Sequence, residues 1–387
     1  MAIELLREPL EIALQKVQSQ KDDPNRQSLS LAIFAGGLDY YPPETQNLIK
    51  AISALRELDE VTHKMFSFPG ISTVHGEAPI SIWLLRRAYD SSVDEALMDL
   101  KTFTTATTIR MRHIVAVEGF TMTHSCEVNE GLVIIPWNLL DNSPTKQRMQ
   151  LLFSEQARSP SFAITRMVDV PKIYSEVGEP SALVSADFAY DDLLNCASLF
   201  GPDRSTIIAS WWEGPKWIPS MGQSYSWLSP NYRSVPKNWP DEAYYRFPEL
   251  FSRFQKMSNG NRSRLHVPLS RLNSSMQTYD QVDAAIDCRI AIESLFLEND
   301  RGEYSFKISL RASRFLSTNF EERKEIFKQF NELYGLGSRA VHYGILKHEK
   351  GQLLPSELLV IGHARIAEAL RKIIIEGYPD WKAIELK

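Results

Sequence analysis

The sequence predicts an α+β fold, with a mixed helical and β-sheet N-terminal region followed by an all-α bundle. Apolar residues recur at helical spacing through much of the first hundred residues, and alternation rich in Thr, Ile and Val takes over near residue 104. Helical periodicity then returns at about residue 241 and lasts to 376. The expected division is an N-terminal region over 1–260, helical over 1–103 and strand-rich over 104–240, and a helical domain over 261–387.

In the first stretch Leu48, Ile52, Leu55 and Leu58 share a helical face, and Ile82, Leu85, Ala88 and Tyr89, then Val93, Leu97 and Leu100, continue the period. Between them SFPGISTVHGEAP, punctuated by Pro69, Gly70 and Gly76, reads as a loop. From 104 the strand signals are the alternation of Ile109, Met111 and His113, the apolar run in EGLVIIPWNLL, and the segments SFAITRMVDV and STIIASWWEG. A helical interval is expected around Asp191 to Leu199. Residues 211–240 hold five tryptophans among Pro, Ser and Gly. They read as an ordered loop whose aromatics plug the seam between domains, or alternatively as a stacking surface for bases or sugars. Further helices are expected near 241–257, 278–298, 304–317, 320–334, 338–347 and 355–376.

With 387 residues, 43% hydrophobic and 24% charged, the chain has material for more than one core. A net charge of -5 and a pI of about 6.0 argue against a broad basic surface and leave room for a local basic site. Cys126, Cys196 and Cys288 are scattered without CxxC or zinc-ligand spacing, which fits a reducing compartment. Glu4, Glu8 and Glu11 interrupt the N-terminal apolar residues, unlike a signal peptide, and no apolar run approaches the roughly 18 residues of a membrane span. A cytoplasmic protein without membrane contact is expected. The remaining histidines form no metal-ligand spacing, and no phosphate loop, dinucleotide turn or serine elbow is present, so neither metal nor cofactor is expected.

Two segments carry candidate chemistry. In YDQVDAAIDCRIAIESLFLE, Val282, Ile286, Arg289, Glu293 and Leu297 form one stripe. A carboxylate on an apolar stripe needs a cationic or amide partner, expected from another helix, with Arg311, Arg314 and Arg339 as candidates. Glu293 then either ties helices together or takes part in catalysis. In LGSRAVHYG, Arg339 and His342 share a helical face three residues apart, with Ser338 as the expected N-cap and Gly337 or Gly335 as the break before it. A histidine can exchange a proton with a ribose 2'-hydroxyl or a leaving oxygen, and an arginine can stabilise charge growing on a phosphate. An Arg/His pair at this spacing is also common by chance. The same holds for Arg56 and His63 in RELDEVTH, which match an Arg, six residues, His pattern in the N-terminal region.

The order YDQVDAAIDCRIAIESLFLE, FKISLRASRFLS, FNELYGLGSRAVHYG and a long last helix resembles the C-terminal HEPN domain of the ApeA-like group. Asp283, Glu293 with Ser294, Leu295 and Phe296, Arg311 with Ala312, Leu333 with Tyr334, Ser338 and His342 fall in that group's order over roughly residues 265 to 380. The upstream segment IVAVEGFTMTHSCEVNEGLVIIPWNLLDNSP is similar to a strand, turn, strand unit that often precedes such domains. The resemblance implies a bundle that dimerises with active residues facing across the interface, and metal-independent RNA cleavage in anti-phage defence or toxin systems. The leading expectation for such a site is His342 as acid and base, Arg339 as phosphate-stabilising cation and Glu293 as the group that holds the geometry. The N-terminal region would then sense a trigger or a protein partner. The group's arginine falls here on Gly337, and Tyr343 separates His342 from Gly344. The charge is therefore expected from Arg339, or from Arg311 or Arg314; otherwise the domain is an inactive module that dimerises and binds RNA, a nucleotide or a protein.

Overall fold

The computed structural model describes residues 2–19, 42–68, 71–73, 76–155, 159–172, 174–175, 190–201, 205–223, 225–227, 237–298, 302–346 and 353–386. The fold is α+β, in two compact units. The first comprises Met1–Ile114, Arg166–Asp187 and Ser210–Ser226, and the second Val115–Thr165, Phe188–Ala209 and Trp227–Lys387.

In the first unit, helices α1 (Arg7–Ser19), α2 (Pro43–Ser53), α3 (Asp59–His63), α4 (Glu77–Asp90) and α5 (Val93–Thr105) bury Leu48, Ile52, Leu85, Ala88, Leu97 and Leu100 as expected, together with Leu10, Ile80 and Leu84, while Tyr89 of the expected face is exposed. Pro43 at the first turn of α2 and the Ser92 hydroxyl, which accepts from the Glu95 N–H, set where two of these helices begin. The expectation of helix followed by loop fails at β1 (Met65–Phe68) and β2 (Ile71–Thr73), an antiparallel pair with Ser67 opposite Ser72. Phe66 and Phe68, two apart, place both rings on one buried face, a period of two inside a longer helical pattern. The Thr73 hydroxyl fixes the pair by bonding both the N–H and the carbonyl of Phe66.

The remaining strands are β3 (Thr108–Glu118), β4 (Cys126–Asn129), β5 (Leu132–Pro136), β6 (Phe162–Pro171), β7 (Tyr174–Ser175), β8 (Thr206–Glu213), β9 (Ser220–Gln223) and β10 (Tyr225–Trp227). They form a four-stranded sheet, β7-β1-β2-β9, and a six-stranded one, β10-β8-β3-β6-β5-β4. Among the tryptophans of the 211–240 segment, Trp211 and Trp239 are buried, and Trp212 and Trp217 pack on the first unit's core. The side chain of Trp227 and residues 228–236 lie outside the described residues.

The second unit holds α6 (Pro144–Glu155), α7 (Tyr190–Ala197), α8 (Asp241–Lys256), α9 (Asn259–Gln277), α10 (Gln281–Phe296), α11 (Tyr304–Leu316), α12 (Phe320–Tyr343), α13 (Pro355–Glu376) and α14 (Trp381–Glu385). Sequence reasoning assigned no element to α9, because Gly260, Pro268 and a run of Ser and Asn interrupt its pattern. Its Leu265, Leu269 and Leu272 are nonetheless buried, in one core with Phe247, Phe251 and Phe254 of α8 and Val128 and Leu132 of the β4/β5 hairpin. The boundary expected between 260 and 261 therefore falls inside α9 and inside one core. Among the described residues no helix is long and apolar enough to cross a membrane.

Where α9, α10 and α13 meet, the Ser275 hydroxyl donates to the Ala284 carbonyl at 2.8 Å and lies 2.7 Å from His363 Nε2 and 3.2 Å from Cys288 Sγ. Burial lowers the His363 pKa from 6.5 to about 4. The imidazole is thus neutral in the fold and protonated more readily in the unfolded chain, so its contribution is complete above pH 6.5 and is lost as pH falls toward 4. A displacement of that size corresponds to roughly 3 kcal/mol. Urea midpoints measured from pH 7 to pH 4 are expected to fall more steeply in the parent than in His363→Gln. Parallel profiles would show that His363 does not carry this dependence.

Candidate functional site

The site is built on α10, α12 and α13. The Asp280 carboxylate caps α10 by accepting from the Val282 N–H at 2.7 Å, and Asn319 caps α12 by accepting from the Glu322 N–H at 3.0 Å. Glu321 and Glu322 in the first turn of α12 complement its dipole. The helix ends at Gly344, whose φ of 64° is the left-handed value that a C-cap favours; its N–H returns to the Ala340 carbonyl.

Between those caps α12 runs unbroken for 24 residues, which corrects the expected interruption at Gly335 or Gly337 and the N-cap at Ser338. Gly337 serves proximity, not a turn. A Cβ at this position would lie 2.5 Å from Arg289 Cβ and 2.8 Å from the Ala285 carbonyl oxygen, so only glycine lets α12 come this close to α10. Arg289 Cδ lies 3.3 Å from the same point, so the Arg289 side chain passes directly over the glycine.

Glu293 finds its cation on its own helix, not on another as expected: Arg289 Nε donates to Glu293 Oε1 at 2.8 Å, four residues away. The Arg289 guanidinium carbon lies 4.9 Å from the centroid of the Tyr334 ring, and Nη2 donates to the Tyr334 hydroxyl at 3.3 Å. Burial works against the Arg289 charge more than any single partner supports it, but the bond to Glu293, the charge of Glu293 and the contact with Tyr334 together outweigh it and raise the pKa above the ordinary arginine value. Burial pushes the Tyr334 phenol up, and the neighbouring Glu293 carboxylate adds to the rise while Arg289 opposes it.

A cleft of about 370 Å³ opens beside this triad, lined by Tyr334, Gly335, Ser338 and Arg339 of α12, Ser305 of α11 and Leu358 of α13. A more open hollow of about 570 Å³ continues from it and shares Ser305, Asn331 and Tyr334. Arg339 folds back along its helix, with Nη1 3.5 Å from where a Gly335 Cβ would stand. Its Nε is buried without a hydrogen-bond partner among the described residues, as is Nη1 of Arg289. His342 is exposed in the last turn of α12, beside an exposed Tyr343. Exposed apolar side chains cluster in sequence around it: Val341, Ile345, Leu353, Leu354 and Val360.

Arg311 and Arg314, the alternative cations, are committed elsewhere. Arg311 is 3% exposed, with Nε bonded to Glu385 Oε1 at 2.6 Å and Nη1 to the Phe296 carbonyl. Arg314 bonds the carbonyls of Ile384 and Glu385. Both hold α14 against α11. Glu385→Ala removes the carboxylate that accepts from the buried Arg311 Nε and is expected to lower unfolding stability by roughly 2 kcal/mol, the carboxylate being a quarter exposed. An unchanged urea midpoint would contradict this. Arg56 and His63 lie in the first unit, where His63 Nδ1 contacts the Asp59 carbonyl at 3.0 Å. Among the described residues no group of His, Cys, Asp and Glu gathers to hold a metal.

Of the residues named from the sequence, Glu293 stands on α10 and Ser338, Arg339, His342 and Tyr343 on α12; Ser338 and Arg339 line the cleft, and Glu293, His342 and Tyr343 do not. Sequence reasoning gave no role to Arg289 and Tyr334. The four-residue step from Arg289 to Glu293 was the available signal. Compared with protein-family models, curated proteins and solved structures, the chain finds no match.

Proposed function

We propose that the helical part of the second unit is a metal-independent endoribonuclease of the HEPN type, acting in the cytoplasm as a homodimer, with the N-terminal region sensing a trigger in a prokaryotic anti-phage or toxin system. The observation that carries this reading is an exposed His342 one helical turn from Arg339, which lines the cleft and whose buried Nε has no partner among the described residues. A guanidinium without a carboxylate partner is available to a phosphate. An exposed imidazole that bonds no backbone group is available for proton transfer.

In the reaction, His342 takes the proton of a ribose 2'-hydroxyl, and the 2'-oxygen forms a bond to the adjacent phosphorus. The bond to the 5'-oxygen breaks, and that oxygen leaves with a proton from an imidazolium, supplied by His342 of the partner subunit. The products are a 2',3'-cyclic phosphate and a 5'-hydroxyl. Arg339 stabilises the charge on the non-bridging oxygens, and the Arg289–Glu293 pair holds α10 against Tyr334. The apolar residues around His342 are suited to burial against a second copy.

The test is incubation of end-labelled RNA with the purified protein in excess EDTA. Fragments ending in 2',3'-cyclic phosphate support the nuclease. Intact RNA bound by a dimeric protein supports the second reading, an inactive binding module. The observation favouring that one is Gly337, where the ApeA-like group carries its arginine.

A further inference from the structure

We propose that the open hollow beside the cleft holds one guanine base of the RNA strand, with Glu303 and Asn331 bonding its edge and Tyr304 and Phe306 stacking on its face. The inference rests on RNA being the ligand proposed above. The hollow, of about 570 Å³, has the volume of a small-ligand site. Tyr304, 41% exposed, and Phe306, 52% exposed, stand in the first turn of α11 and line it together with Tyr334. An aromatic ring left half exposed at the wall of a hollow offers a base a surface on which to stack. Phe327 holds the Phe306 ring edge to face, with centroids 5.8 Å apart.

The polar groups at the same wall select the base. Glu303 is the N-cap of α11, a position where a carboxylate ordinarily accepts from an N–H two or three residues on. Its backbone is instead left-handed, with φ 53° and ψ 33°, the only positive φ outside glycine among the described residues, and the side chain makes no capping bond. Both carboxylate oxygens are therefore left to accept from a ligand in the hollow they line. Asn331 is oriented by the Ser305 hydroxyl, which donates to Oδ1 at 2.7 Å; this commits the amide oxygen and leaves the Nδ2 hydrogens for a ligand. The hollow thus presents a donor and a pair of adjacent acceptors. Guanine alone among the four bases carries the complement on one edge, where O6 accepts while N1–H and the 2-amino group donate side by side to a carboxylate. Arg339 lines the adjoining cleft, which shares Ser305, Asn331 and Tyr334 with the hollow, and supplies a cation for the phosphate of the same nucleotide.

The experiment measures binding of uridine-rich RNA heptamers carrying one central guanosine, adenosine or inosine to the His342→Ala protein, a background in which the probes stay intact. The guanosine strand is expected to bind about tenfold tighter than the adenosine strand, and inosine, which lacks the 2-amino group, to lose most of that gain. Adding Glu303→Gln should equalise the three strands, whereas adding Phe306→Ala should weaken all three about tenfold through lost stacking. Equal affinity for guanosine and adenosine, a preference that survives Glu303→Gln, or no binding of any strand would overturn the inference. So would displacement of the guanosine strand by guanosine monophosphate at concentrations near the strand's own Kd, since the ligand would then be a free nucleotide. Cleavage by the parent in EDTA is scored separately. Intact RNA there with a Glu303-dependent preference removes the nuclease and keeps the base contact, while cleavage with equal binding of the three strands keeps the nuclease and removes the base contact.

Discussion

His342→Ala is expected to slow RNA cleavage in EDTA by at least about 100-fold, and by up to about 10,000-fold if the same side chain serves as base in one copy and acid in the other. The exposed position of His342 makes the comparison clean: it has no hydrogen bond or ion pair among the described residues, so its removal should move unfolding stability by less than about 0.5 kcal/mol. Arg339→Ala should give a parallel loss of cleavage with the fold retained. A variant at 342 that cleaves at the parental rate would remove the histidine from the chemistry and leave Arg339 as a binding residue.

Gly337→Arg is expected to lose more than about 3 kcal/mol of stability and not to gain activity, even though it restores the ApeA-like pattern. The reason is steric: the new Cβ meets the Ala285 carbonyl at 2.8 Å, a backbone atom that cannot swing away, so α10 and α12 must separate. Gly337→Ala isolates the first carbon of that change. In an unconstrained helix it would stabilise by about 1 kcal/mol. Here the clash should reverse the sign, lowering the urea midpoint. An alanine variant more stable than the parent would show that the two helices part at little cost, and Gly337→Arg with Arg289→Ala would then be the arrangement to examine for cleavage.

Much of the fold was legible because periodicity reports burial. Strands β3, β5, β6 and β8, helix α7 and most C-terminal helices stand where Ile, Val and Leu alternate or recur. The misreadings share a physical cause: local rules yielded to packing between segments distant in sequence. The sequence predicts no helix between 257 and 278, where Gly260 and Pro268 interrupt the pattern, yet α9 is held by Leu265, Leu269 and Leu272 in a core that also includes Val128 and Ile292. Gly335 and Gly337 read as a stop, yet one of them marks where two helices touch. For the site, the types and order of residues were visible, while the partner of Glu293 was misplaced because a stripe on one helix does not reveal which long side chain curls along it. Nothing in the sequence showed that Arg311 was already held by Glu385, 74 residues further on.

The unbroken run of α12 has a consequence for control. At 1.5 Å per residue, Arg339 and His342 stand about 4.5 Å apart along one rigid rod. No hinge lies between them that a signal could bend, so the two groups cannot be disassembled and reassembled within a subunit. Any switch must therefore act from outside the rod, by covering or uncovering its last turn or by bringing two such turns together, and its kinetics would be those of association and not of internal rearrangement.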